Sequence, residues 1–113
     1  MGTARATIRA GICGFATVAT GTADDDYGMR YDIETDCPRI QSLALALTQS
    51  DPINVLSEVR LRHEATVLVA GRDPRHGICV GCVVPPGLYK VMQVAAWLAL
   101  PAASSIDLQA ETL

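Results

Sequence analysis

A C-x2-C pair that runs straight into proline, and then into an apolar helical pattern, constrains this chain more than any other stretch. The sequence reads Gly77-Ile78-Cys79-Val80-Gly81-Cys82-Val83-Val84-Pro85-Pro86-Gly87. A helical pattern follows to Leu100, with Pro101 as its stop signal. Two residues between cysteines let both sulfurs reach one metal ion from a tight turn. Leu88, Val91, Met92, Ala95 and Ala99 recur at helical spacing, which predicts one face turned into a core. Lys90, Gln93 and Trp97 share another side. The two other cysteines, Cys13 and Cys37, each end a strand-like run, where a loop can aim a side chain at a common point.

A chain of 113 residues is expected to form a single domain over 1–113, with a core that needs no staples. Half of its residues are hydrophobic, yet it has only one Phe, one Trp and three Tyr, so Ala, Val, Leu and Ile must build that core. A net charge of −3 argues against nucleic-acid binding, which needs a basic surface. No apolar run approaches the length of a membrane span, and the N-terminus lacks the apolar core of a signal peptide. Ala6 stands where a myristoylation signal has Ser or Thr. The expected location is therefore cytoplasmic. In a reducing compartment, four cysteines read as metal ligands or free thiols rather than disulfides.

Thr3 to Ile12 alternates, with Ala4, Ala6, Ile8, Ala10 and Ile12 on one side and Thr3, Arg5, Thr7 and Arg9 on the other: a half-buried strand. Phe15 to Thr20 reads as a second strand, and Gly21 to Gly28, with Asp24-Asp25-Asp26, as a hairpin loop. Met29, Tyr31 and Ile33 alternate with Arg30, Asp32 and Glu34 in a third strand. Cys37-Pro38 opens a helix whose apolar face is Ile40, Leu43, Ala44 and Leu47, with Cys37 at or beside the N-cap. Asp51-Pro52 repeats that start signal for a shorter helix through Ile53, Leu56 and Val59. Ala65 to Ala70 fits helix or strand, and Gly71 to Gly77 reads as loop. Ser105 to Leu108 alternates weakly and is expected as an edge strand. A strand meander, then helices, predicts an α+β fold: a small antiparallel sheet of three to four strands with helices packed on one face.

The cysteine spacing is C-x23-C-x41-C-x2-C. A thiolate at a helix N-terminus, as at Cys37, is favoured by unpaired N–H groups and the helix dipole. Glycines around Cys13 and Cys79 leave backbone N–H groups free to donate to sulfur. Four cysteines at element boundaries point to a shared site of Cys13, Cys37, Cys79 and Cys82, holding an iron–sulfur cluster or zinc, since both accept four thiolates. Two other readings stay open. Cys79 and Cys82 can form a thiol–disulfide pair, or the cysteines can simply pack inside a metal-free, oligomeric interaction module. His63 and His76 are further candidate ligands, although His76 sits in the charged loop Arg72-Asp73-Pro74-Arg75-His76, where solvation is the ordinary state. The three aspartates read as a solvated hairpin tip, and Trp97 as edge packing. No acid–base constellation of an enzyme stands out.

Two resemblances rest on these residues. Ile12-Cys13-Gly14-Phe15, Asp36-Cys37-Pro38, and Cys82-Val83-Val84-Pro85-Pro86-Gly87 through Ala99-Leu100-Pro101 resemble a small family of uncharacterised bacterial and archaeal proteins with four cysteines. More distantly, the layout is similar to U-type iron–sulfur cluster assembly scaffolds. These have a strand meander before their helices, a first ligand cysteine followed by Gly, a second at a helix start and a third before the last long helix. Cys13-Gly14, Cys37 and Cys82 fall in those places. The resemblance implies a cluster carrier or scaffold with an unknown protein partner. Phe15 replaces the scaffolds' Asp, Gly81 replaces the polar residue before the last cysteine, and the Leu-Pro-Pro-Val-Lys partner signature is absent. Cys79 adds a fourth sulfur, which would close the site and suits stable binding better than handover or open-site catalysis.

Overall fold

Alternation in the first third of the chain folds as a meander. In a computed structural model describing residues 1–112, β1 (Thr3–Arg9), β2 (Ala16–Ala23) and β3 (Gly28–Thr35) pair antiparallel in sequence order. The register sets Ala6 opposite Ala19 and Ala19 opposite Ile33, so one face carries Ala4, Ala6, Ile8, Ala19, Ala23, Met29, Tyr31 and Ile33. The other face is mostly Thr, Arg, Asp and Glu, with Ala16 and Val18 among them. Ile12 is no part of the buried row, because the strand ends at Arg9 and leaves it fully exposed. The hairpin loop is tighter than the glycines suggest. Asp24 Oδ1 accepts from the N–H groups of Asp26 (2.8 Å) and Gly28 (2.9 Å), so β2 runs on to Ala23.

The fourth strand is not at Ser105 to Leu108, where the chain forms no strand. It is β4 (Ile53–Asn54), paired with Gly28 and Met29 of β3. Asp51-Pro52 therefore leads into a strand, and the helix starts only after it. Asn54 Oδ1 accepts from the Ser57 N–H (3.0 Å) and caps that helix.

Four α-helices follow among the described residues: α1 (Pro38–Thr48), α2 (Val55–Leu61), α3 (Thr66–Gly71) and α4 (Val84–Ala95). α1 lies over β3, α4 over β1 and β2, and α3 against α4. The sheet is thus covered on one face, as α+β layering requires. α4 begins earlier than Leu88, because prolines in a first helical turn sacrifice no intrahelical hydrogen bond. It ends earlier too. Trp97 takes the left-handed conformation (φ 62°), its N–H donates to the Val94 carbonyl (3.1 Å), and the Leu98 N–H donates to that of Gln93 (2.8 Å). That cap stops the helix before Pro101.

Small residues let α4 sit close to the sheet. A Cβ on Gly21 would lie 2.8 Å from Val91 Cγ1, and one on Gly87 would lie 2.6 Å from Ile8 Cδ1. Two polar contacts lock the layers. The buried Tyr31 hydroxyl donates to the Leu88 carbonyl (2.6 Å), and burial, then the neighbouring Glu58 and Tyr89, hold its ionisation far above the usual phenol range. Buried Glu58 accepts from the Thr66 N–H (2.5 Å) and hydroxyl (2.6 Å), tying α2 to the start of α3. Among the described residues, no helix is long and apolar enough to cross a membrane.

Candidate metal centre

Strand register decides where the cysteines lie. Arg9 pairs with Ala16 and Thr17 with Thr35, so the β1–β2 turn and the exit of β3 share one end of the sheet. Cys13 sits in that turn, between Gly11 (φ 90°) and Gly14 (φ 76°), and the Gly14 N–H closes it on the Gly11 carbonyl (2.9 Å). Cys37 follows β3 directly and is the N-cap of α1. Its N–H donates to Thr35 Oγ1 (3.2 Å), which also accepts from the buried Thr17 hydroxyl (2.9 Å). A relay from the sheet therefore fixes the Cys37 backbone.

The C-x2-C pair reaches the same end from α4. Gly87, near the start of α4, lies against Ile8 at the end of β1. The Cys82 N–H donates to the Cys79 carbonyl (3.0 Å), closing a turn with Val80-Gly81 at its corner and the two cysteines at its ends. Upstream, His76 Nδ1 is 2.7 Å from Ser42 Oγ on α1, and Gly77 faces the Arg39 side chain. These contacts pin the cysteine loop to α1. Asp73, held down to about 2 by hydrogen bonds from the Arg75 side chain and N–H, stabilises the loop's entry.

Cys82 registers the others electrostatically. Its thiol is pushed above the ordinary value, first by burial and then by Cys79, Cys37 and Cys13, each near enough to repel a second negative charge; an N–H from Val84 works in the opposite sense. Proximity to α4 therefore does not by itself favour the Cys82 thiolate. All four thiols are free, Cys13 and Cys79 exposed, Cys37 and Cys82 half-buried at the core's margin. They gather at one end of the sheet without closing into a cage: among the described residues, no three His, Cys, Asp or Glu side chains are grouped to hold one metal ion.

The surroundings suit an anionic occupant. α1 and α4 both start at this end, with no side-chain cap and no acid in their first turns. In α1 this leaves the N–H groups of Arg39 and Ile40 without an anionic partner. In α4, prolines occupy two of the first positions, the Val84 N–H already serves Cys82, and that of Gly87 donates to the Val83 carbonyl (3.0 Å). The helices' apolar faces and the cysteines were visible in the sequence. The support from Thr17, Thr35 and Ser42 was not, because a hydroxyl pair across a sheet has no local sequence signature. His63 is exposed on the 3-10 turn Arg62–Glu64, its carbonyl accepting from Arg72 (2.8 Å).

No curated protein and no solved structure matches the chain, so nothing in these comparisons links it to iron–sulfur scaffolds. One family model does match, over residues 4–108, a span holding all four cysteines and every strand but the first residue of β1. On that match the chain belongs to the family of unknown function DUF6951.

Proposed function

We propose that this protein is a small cysteine-ligated metal protein whose ligands are Cys13, Cys37, Cys79 and Cys82. The observation that carries the reading is the arrival of all four thiols at one end of the sheet, from two strand ends and one pre-helix turn, with Cys82 in electrostatic range of the other three. An iron–sulfur cluster is the first candidate and zinc the second. Four thiolates around one tetrahedral zinc stand about 3.8 Å apart, from a zinc–sulfur bond of about 2.3 Å. A cluster interposes its own iron and sulfide and so accepts thiolates set wider than a single zinc does. Free thiols fit a reducing, cytoplasmic setting. Four sulfurs suit stable binding, electron transfer or structural support better than substrate turnover at the metal. The carrier role implied by the scaffold resemblance is the less favoured form of the same site.

A second reading rests on the Cys79–Cys82 turn, which sets two thiols at the ends of one hydrogen-bonded turn, as a thiol–disulfide pair requires. Metal analysis and a visible absorption spectrum separate the readings, taken on protein purified without oxygen after growth with iron or with zinc. The cluster reading expects iron, sulfide and a visible sulfur-to-iron band. Cys82→Ser then loses most of the metal, and His76→Ala little. Wild-type protein free of metal under both regimes overturns the proposal, as do Cys79→Ser and Cys82→Ser variants that keep their full metal content.

A further inference from the structure

β1 is an open edge of the sheet, with β2 on its only paired side. The Ala23 N–H donates to the Gly2 carbonyl (3.0 Å) and the Ala10 N–H to that of Phe15 (3.2 Å). With the register, these bonds turn the backbone groups of Ala4, Ala6 and Ile8 toward β2. The N–H and C=O groups of Thr3, Arg5, Thr7 and Arg9 point outward, and among the described residues none has a hydrogen-bond partner there. Ala6, facing the helix-covered side, is only half-buried. An unpaired edge of this kind is a template for a further strand.

The chain beyond α4 has the complementary properties. Residues 98–112 form no helix or strand, and all are exposed, Leu100, Ile106 and Leu108 among them. The family match nonetheless takes in this segment as far as residue 108. Ser105-Ile106-Asp107-Leu108-Gln109 alternates polar and apolar residues. Charge agrees as well: residues 98–112 hold Asp107 and Glu111 and no cation, whereas β1 holds Arg5 and Arg9 and no acid. The tail stands off its own sheet, in a molecule 50 Å long against 31 and 24 Å.

We propose that this edge is an interface between two copies of the chain. The segment around Ser105 to Gln109 of one copy adds as an outer strand to β1 of the other, and reciprocal exchange makes a two-fold dimer. Ile106 and Leu108 then cover the half-buried Ala6, between the buried Ala4 and Ile8. Ser105, Asp107 and Gln109 fall on the open face beside Arg5 and Arg9. The inference is independent of the metal site, which lies in loops outside β1.

Sedimentation velocity over a range of concentrations tests it. Wild-type protein should be a dimer. Ile106→Asp with Leu108→Asp should be monomeric yet still folded, with native far-ultraviolet dichroism and a melting temperature that no longer depends on concentration, because both side chains are exposed in the single chain. Arg5→Glu with Arg9→Glu should weaken the dimer roughly tenfold, and adding Asp107→Arg should recover part of the loss. A wild-type monomer at every concentration overturns the proposal. So does a dimer that survives the Ile106/Leu108 change. A monomer whose outward β1 amides lose hydrogen-exchange protection when residues 104–112 are deleted shows the tail on its own sheet, and overturns it equally.

Discussion

Cys82 is the residue on which the candidate centre turns. Burial and the neighbouring thiols raise its ionisation, so in metal-free protein it stays protonated where an ordinary thiol has begun to charge. Cys13 and Cys79 are exposed and meet reagents freely. Timed alkylation read by mass spectrometry should therefore label Cys82 well after Cys13 and Cys79 near neutral pH, with the gap narrowing as pH rises. Equal rates for all three at neutral pH would contradict this environment. The same shift bears on stability. A thiol whose folded ionisation is raised contributes stability that is present below the ordinary thiol value and lost as pH climbs through the raised one. Metal-free protein should accordingly weaken on the alkaline side. A bound metal, which takes the thiolate, should reduce that loss.

α4 carries both the core and the cysteine turn, and its seat on the sheet is set by absent side chains. Gly21→Ala would push a methyl against Val91 and Met29, both buried, with nowhere to move. We expect it to cost about 1–3 kcal/mol in denaturant unfolding. A variant as stable as wild type would show that α4 stands off further than its contacts indicate. This packing explains what was legible beforehand. β1 and β3 were readable because their alternation is the pattern of one buried face, and α1 because Cys37-Pro38 is a start signal followed by an apolar stripe. β4 was not, since a strand of only Ile53 and Asn54 exists through its pairing with Gly28 and Met29, a tertiary contact that overrides the Asp51-Pro52 helix signal. The early stop of α4 was hidden for a related reason: a left-handed Trp97 has no propensity behind it. The gathering of the cysteines was half legible. Their places at element ends could be read, but which end of the sheet each faced needed the register.

For the molecule as a whole, one cysteine-lined end and one open edge sit on a single core. The core fixes the spacing of the chain segments that bear the thiols, so metal should add to stability by bridging them, not by creating the fold. Chelation should lower the melting temperature of loaded protein while leaving its far-ultraviolet dichroism unchanged at room temperature. Loss of the helical signal on chelation would mean that the sheet and helices depend on metal. The decisive measurement is X-ray absorption at the metal edge of protein purified without oxygen. Four ligating cysteines predict a first shell made of sulfur alone, with a second, iron–iron shell if a cluster is present. A first shell containing nitrogen or oxygen would place His76 or solvent among the ligands, and would contradict a centre built from Cys13, Cys37, Cys79 and Cys82.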